Sequence, residues 1–367
     1  MLASRLRIAV VAHHVAPIRP PFVGGVESST WYLARWLARA GHEVVMFAPD
    51  GSQVPGVEVR ALALGVQVSA AARQDVSMPP DAFMSAHHAY QELMLELIED
   101  SDGFDVVHLQ SLHYLPVAMS QLLGVPTALT LHTPPTPWLE GALQSRRRAS
   151  LHLNAVSKAT ARVWRPVRVH EVIPNGVDAG AWPLGPGGET AAWCGRMVRE
   201  KAPHLAIAAA REAGLDLRLA GPIVDPAYFA AEVAPLLGAG AEYVGHLEHR
   251  ELAVLLGSSA VAFVTPDWEE PFCLTAAEAM ATGTPVAAFA RGGLAEVVCE
   301  ATGLLAPGGD VDALAAAALA VSELPRVAVR RSALARLGID AMGRRYEAMF
   351  ARLAAGTPVG AEALEAV

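Results

Sequence analysis

Glu269-Glu270-Pro271-Phe272-Cys273-Leu274-Thr275-Ala276-Ala277-Glu278-Ala279-Met280-Ala281-Thr282-Gly283-Thr284-Pro285-Val286 decides how this chain is read. A strand-like apolar run, Ala260 to Pro266, precedes it, and another, Pro285 to Ala290, follows. Between them Thr275 to Thr282 carries helix formers and stops at Gly283, a residue suited to a left-handed helix end. A helix that opens at a strand's carboxyl end turns unpaired N–H groups and a partial positive charge toward the crevice there. Such an end holds a phosphate without a metal. Glu270 and Glu278 bracket the helix start. Read as continuous helix, the eight-residue step from one to the other rises roughly 12 Å, about the span from sugar to ribose in a nucleoside diphosphate sugar. Carboxylates accept hydrogen bonds from vicinal hydroxyls, so one acid suits each end with the diphosphate between.

The same alternation extends in both directions. Strand candidates in the first half are Arg7 to Ala12, Glu43 to Ala48, Val57 to Leu64, Asp105 to Gln110, Thr127 to His132 and Leu151 to Val156. Helix candidates between them are Val26 to Arg39, Asp81 to Glu99 and Leu115 to Leu123. Around Val172-Ile173-Pro174-Asn175-Gly176-Val177-Asp178 the pattern breaks, and a Gly/Pro-rich stretch to Gly188 follows. It then restarts with strands at Ala191 to Cys194, Asp216 to Ala220, Glu242 to Val244, Ala260 to Val264 and Val286 to Ala290. Helices are expected at Pro203 to Ala213, Pro226 to Leu237, Arg250 to Leu256 and Thr275 to Thr282. Continuous apolar strands alternating with helices predict an α/β chain of two Rossmann-like parallel-sheet domains. Their strand carboxyl ends face a cleft, the usual place for a ligand.

The boundaries read as 1–172 for the first domain, 173–188 for a hinge, 189–338 for the second domain and 339–367 for a terminal segment. In that last segment Ile339, Met342, Tyr346, Met349, Phe350 and Leu353 recur at three- and four-residue steps. One apolar stripe after Gly338 predicts a helix that packs back on the first domain.

Composition narrows the function. A chain of 367 residues with 53% hydrophobic and 18% charged residues is globular and long enough for two cores. A net charge of -9 argues against nucleic-acid binding. No apolar run reaches the roughly 18 to 20 residues of a membrane span. The opening residues lack a signal-peptide cleavage site. The three cysteines, Cys194, Cys273 and Cys299, have no ligand spacing. Together these features predict a cytoplasmic location.

Other residues carry chemistry by position. Arg196 and Lys201 fall on a loop between the strand ending at Cys194 and the helix opening at Pro203. A forked guanidinium and a mobile ammonium there roughly neutralise a diphosphate of about two negative charges; a solvated basic loop is the bland alternative. Gly24-Gly25-Val26-Glu27 opens the first long helix, and paired glycines permit close backbone approach to a ligand. The G-x-G-x-x-G dinucleotide fingerprint is absent, which disfavours an NAD oxidoreductase. His132, at a strand end before Thr133-Pro134, suits a sugar hydroxyl or, in the bland reading, a backbone partner. His13-His14, His87-His88, His108 and His113 show no metal-ligand pattern and read as structural or surface, with His13-His14 near the acceptor. Asp310-Val311-Asp312 reads as a helix cap rather than a metal site. Ser145-Arg146-Arg147-Arg148 reads as a solvated charge run that leaves a peripheral membrane or anionic contact open.

On Gly24-Gly25-Val26-Glu27, His132-Thr133, Ile173 to Asp178, Gly195-Arg196 to Glu200-Lys201, and Glu270-Pro271-Phe272 through Glu278-Ala279-Met280-Ala281, the chain resembles glycosyltransferase family 4, retaining enzymes of GT-B fold. The resemblance covers nearly the whole chain. It implies a nucleotide-sugar donor, most often UDP-linked, held by the second domain, and an acceptor on the first. It implies that Arg196 and Lys201 hold the diphosphate, Glu278 the ribose and Glu270 the hexose. Backbone at Cys273 and Leu274, beside Phe272, would touch sugar or phosphate. Gly24 and Gly25 would approach from the other domain, and His132 would contact the sugar. It further implies hexosyl transfer with retention and no bound metal or cofactor, the donor being a co-substrate. The family usually has Gly where this chain has Cys273. A sugar-nucleotide epimerase of the same architecture and a non-catalytic sugar-nucleotide-binding protein are the alternatives. The acceptor and the oligomeric state have no sequence code: the loops Pro17 to Val23 and Val66 to Pro80 carry none.

Overall fold

The computed structural model describes residues 5–65, 68–77, 79–100, 103–145 and 151–356. Arg146, Arg147 and Arg148, and Val66, Gln67 and Met78 of the 66–80 loop, lie outside them. The first sheet contains β1 (Arg7–Val11), β2 (Glu43–Ala48), β3 (Glu58–Ala61), β4 (Val106–Leu109), β5 (Thr127–Leu131), β6 (Leu151–Ala155) and β7 (Glu171–Val172). The second contains β8 (Ala191–Cys194), β9 (Leu217–Ala220), β10 (Ala241–Gly245), β11 (Val261–Val264), β12 (Val286–Phe289) and β13 (Gly303–Ala306). Their orders are β3-β2-β1-β4-β5-β6-β7 and β10-β9-β8-β11-β12-β13. Every pairing between these strands is parallel. Strand order reverses beside β1 in one sheet and beside β8 in the other. Those two switch points are where loops from neighbouring strands part and leave room for a ligand.

Continuous burial explains the parallel pairing. All four residues of β4, β11 and β12 are buried, so both sheet faces must be covered. Predicted and observed elements agree within a residue or two at most positions. Residues 226–237, expected as one helix, form a short helix at Pro226–Tyr228, a π turn at Phe229–Val233 and a 3-10 turn at Ala234–Leu236. Pro235 has no N–H to continue an α-ladder. Strands β7 and β13 escape the pattern because β7 has two residues and β13 opens on a glycine. Helices Pro137–Gln144 and Lys158–Val163 are also additional. Asp310 caps the helix Val311–Val321 by accepting the Ala313 N–H at 2.9 Å, as its position predicts.

The terminal helix Ile339–Ala354 crosses back to the first domain. Met342, Tyr346, Met349 and Phe350 are buried in one core cluster with Ile8, Val10, Trp31 and Leu37. Burying such side chains contributes about 1.5–3 kcal/mol each. Gly343 permits the approach: a Cβ there would lie 2.1 Å from the Trp36 indole. Where the chain leaves and re-enters the first domain, the two crossings bond each other. Val177 donates to Leu337 O at 2.8 Å, and Ile339 donates to Val177 O at 2.9 Å. No helix among the described residues is long and apolar enough to cross a membrane.

Candidate active site

A cleft of about 500 Å³ opens between the two domains, walled by the loops that follow β1, β4 and β5 on one side and β8 and β11 on the other. Arg196, Lys201, Glu270, Phe272, Cys273, Leu274, Glu278, Gly24, Gly25 and His132 all line it. The sequence candidates therefore converge, although they come from distant parts of the chain.

The loop after β8 is held flat by close backbone contact. Gly195 donates to Ala220 O at 3.0 Å, and a Cβ on Gly221 (φ +141°) would fall 1.8 Å from Gly195 O. Lys201 ends a 3-10 turn, Arg199–Lys201, and Ala202 in left-handed conformation (φ 43°) starts the helix Pro203–Glu212. The Thr265 hydroxyl, just past β11, lies 3.1 Å from Lys201 O and 3.0 Å from Ala202 O, and accepts the Trp193 indole N–H at 3.0 Å. Through Thr265, the loop that carries Lys201 is tied to the loop that carries Glu270.

Glu270 is 7% exposed. Its Oε2 accepts from Lys201 Nζ at 2.5 Å and from Trp268 Nε1 at 2.8 Å. Lys201 Nζ also sits 5.3 Å from the Trp268 ring centroid, a cation–π contact. Arg196 binds Glu200 Oε1 at 2.6 Å and keeps over a third of its side chain in solvent. Sequence reasoning missed Trp268. Its place two residues before Glu270 was visible, but nothing in the sequence said that its N–H turns back onto that acid.

The span between the two acids needs correction. Helix Leu274–Ala281 begins four residues after Glu270, so Glu270 and Glu278 are not joined by continuous helix. Only Leu274 to Glu278 is helical, a rise of roughly 6 Å, and Pro271 to Cys273 supplies the rest as irregular chain. Gly292 and Gly293 make that turn fit: Cβ atoms there would lie 2.3 Å from Glu270 O and 2.4 Å from Pro271 O. Cys273 is the N-cap, with φ 77° and ψ 81°. That left-handed backbone favours glycine, which accounts for the residue usual in the resembled family. Phe272 reaches the cleft but is 4% exposed and belongs to the second-domain core, so most of its surface packs there.

Burial pushes the Glu278 carboxyl up to about 7. It pushes the Cys273 thiol up to about 12, so that thiol is protonated at neutral pH. Across the cleft, Gly24 caps the helix Gly25–Arg39, and a Cβ on Gly25 would touch Leu274 Cδ1 at 3.5 Å. Two helix N-termini, one from each domain, thus open onto the same space. Glu27 in the first of them is buried, and burial raises its pKa against the opposing pull of a backbone hydrogen bond and of Arg196. His132 is 7% exposed and bonds Gln110 Oε1 through Nε2. Burial, with the neighbouring His13, drives its pKa down to about 3, so the ring is neutral. The chain of contacts continues inward. Gln110 Nε2 lies 3.2 Å from His108 Nε2, which lies 2.8 Å from Thr130 Oγ1. Thr130 in turn donates to Asn154 Oδ1 at 3.1 Å, and Asn154 Nδ2 donates to Tyr346 Oη at 3.0 Å. No group of three or more His, Cys, Asp or Glu among the described residues is arranged to hold a metal ion.

Residues 23–180 match the family model described as Glycosyltransferase Family 4, and residues 182–336 match that described as Glycosyl transferases group 1. A glycogen synthase of Mycobacterium tuberculosis is 30% identical over 377 residues, covering 90% of this chain and 89% of the relative. The chain belongs to glycosyltransferase family 4. Like its relatives in the family, it is a glycosyltransferase. A GDP-mannose-dependent alpha-mannosyltransferase of Mycolicibacterium smegmatis is also 30% identical, over 95% of this chain and 98% of the relative. The solved structure of a sucrose-phosphate synthase from Thermosynechococcus elongatus superposes with a TM-score of 0.76 at 23% identity, covering 96% of this chain and all of that one. That likeness bears on the fold, and it is the GT-B arrangement of two Rossmann-like domains.

Proposed function

We propose that this family 4 enzyme moves a hexose from a nucleoside diphosphate sugar to a hydroxyl acceptor, with retention at the anomeric carbon and without a metal. The observation that carries this is the convergence of Arg196, the Lys201–Glu270 pair, Glu278 and the N-terminus of helix Leu274–Ala281 on one cleft. Cations and free N–H groups suit a diphosphate, and an acid on either side suits hydroxyls. In this reading Arg196 and Lys201 hold the diphosphate, backbone at Cys273 and Leu274 adds donors, Glu278 takes the ribose and Glu270 the hexose. Gly24 and Gly25 let the first domain close on the phosphates, and neutral His132 contacts the sugar.

The bond from the anomeric carbon to the diphosphate oxygen breaks while the acceptor oxygen arrives on the same face. A leaving phosphate oxygen takes the acceptor proton. Arg196 and Lys201 stabilise the charge that builds there, the largest catalytic contribution expected of such a site. The resemblance puts a UDP-sugar first, and the mannosyltransferase relative puts GDP-mannose beside it. The three free thiols fit a cytoplasmic setting.

A thermal-shift panel of UDP, GDP, ADP, their sugars and NAD tests the donor, because a ligand that binds the folded state raises the melting temperature by mass action. A shift with one nucleotide and its sugar supports the reading; a shift with NAD alone defeats it. Release of the free nucleotide only when an acceptor hydroxyl is present separates a transferase from an epimerase or a binding protein.

A further inference from the structure

The first-domain wall of the cleft continues into an aromatic surface. Tyr114 opens the helix after β4, and Trp138 lies in the first turn of helix Pro137–Gln144 after β5. Their rings stack at 5.3 Å and 28°, and Phe83 lies against Trp138 at 6.0 Å. Trp138 is 62% exposed, unusual for so large an apolar side chain. This surface is joined to the cleft lining through the chain. Leu112 and Thr133 line the cleft, and Tyr114 and Trp138 follow them by two and five residues.

Unpartnered polar groups sit beside the rings. His113 stacks under Tyr114 at 4.9 Å and is 8% exposed. Its Nδ1 accepts the Leu115 N–H, so Nε2 carries the proton, and that buried Nε2 has no partner. His14 lies 6.0 Å from His113 and 4.8 Å from His13, which lines the cleft. The Nδ1 atoms of His13 and His14 and the Thr133 hydroxyl are likewise buried without a hydrogen-bond partner. An unmatched buried polar group is costly, so several together point to a hydroxyl-bearing ligand. None of the described first-domain residues lining the cleft is an Arg or Lys. Burial and neighbouring imidazoles hold His13 and His113 down at about 4, so they supply no positive charge at neutral pH.

We infer that the acceptor is an uncharged sugar ring, which lays its apolar face on the exposed Trp138, itself backed by Tyr114, while its hydroxyls meet the unpartnered histidines and Thr133. Aromatic planes suit the C–H face of a pyranose, and the polar groups beside them distinguish such a ring from a purely apolar aglycone. Among the described residues of the wall, no cation matches a phosphorylated acceptor. This assignment rests on the glycosyltransferase reading of the cleft and names the acceptor class of that site.

The test uses the full chain, with the nucleotide sugar that the thermal-shift panel selects. Release of nucleoside diphosphate is followed with methyl α-glucoside, methyl α-mannoside, maltotriose, glucose 6-phosphate and 4-nitrophenol as acceptors. At least one neutral sugar is expected to serve. Trp138→Ala is expected to raise its KM about ten-fold with donor KM and the nucleotide thermal shift unchanged. Trp138 is exposed enough for the fold to survive its loss; Tyr114→Ala is the second variant, with an unchanged nucleotide thermal shift checking its fold. An acceptor KM within about two-fold of wild type in both variants overturns the assignment. So does a preference for glucose 6-phosphate or 4-nitrophenol. A normal nucleotide shift with no neutral sugar turned over sinks the acceptor assignment alone, whereas no nucleotide shift in the wild type removes the donor reading and this assignment together.

Discussion

Lys201 and Glu270, 69 residues apart in the chain, meet at 2.5 Å on the second-domain wall of the cleft. Trp268 holds both, giving its N–H to the acid and its ring face to the ammonium. Lys201 is thus paired with the acid proposed to bind the hexose. In the proposed donor complex a diphosphate would compete for Lys201, and sugar hydroxyls would replace what Glu270 loses.

If Arg196 and Lys201 stabilise the leaving diphosphate, alanine at either should lower turnover by about 100-fold or more, the scale seen when one transition-state donor is removed. Steady-state kinetics on the single variants checks this. Wild-type turnover in both would remove the phosphate assignment.

Glu278 gives a pH signature. Its folded pKa, raised from 4.5 to about 7 by burial, means that the folded chain binds a proton the unfolded chain has released. Its contribution to stability is full below about pH 4.5 and is lost as pH rises through about 7. Ribose hydroxyls donate to the ionised form, so nucleotide affinity should increase from pH 6 to pH 8. Glu278→Gln should flatten both profiles and weaken the bare nucleotide, whereas Glu270→Gln should act mainly on the sugar. Calorimetric titration with nucleotide across that pH range decides it, and an unchanged profile in Glu278→Gln would sink the ribose role.

If side-chain cations and a helix N-terminus do the work that a divalent ion does elsewhere, activity should persist in excess EDTA. Full loss on chelation, restored by Mg²⁺, would contradict this.

Cys273 occupies a left-handed backbone that costs a non-glycine residue about 1–2 kcal/mol. Cys273→Gly should raise unfolding stability by about 1 kcal/mol after glycine's greater unfolded-state entropy is subtracted. Urea melts of the two proteins would show it, and a destabilised variant would mean that the thiol's packing outweighs the strain.

Gly343 lets the terminal helix lie against Trp36, with 2.1 Å left for any Cβ. Gly343→Ala should cost about 1–3 kcal/mol through overpacking. The cost should ease when Trp36→Ala opens the space; additive losses in the double variant would show that the two residues do not share that contact.

The strand and helix alternation was legible because a parallel sheet covered on both faces needs long apolar runs, and β2, β8 and the helix Asp81–Glu99 sit where those runs predict. The terminal helix was legible from its stripe. The broken segment 226–236 was not, because a periodic pattern survives a change from α to π geometry. The acids Glu270 and Glu278 were recognisable by spacing, but the spacing was read as continuous helix when half of it is a turn.

By itself, the sequence determined which residues can hold charge at strand ends and that two sheets would place them on a cleft, since periodicity and chain order are local properties. Only the tertiary structure decided that Trp268 grips Lys201 and Glu270, that Cys273 is strained, that Glu278 titrates near neutrality and that Tyr114 and Trp138 form one surface. Each of these depends on burial or on contact between residues far apart in the chain. Desolvation and side-chain geometry exist only once the chain has closed around them.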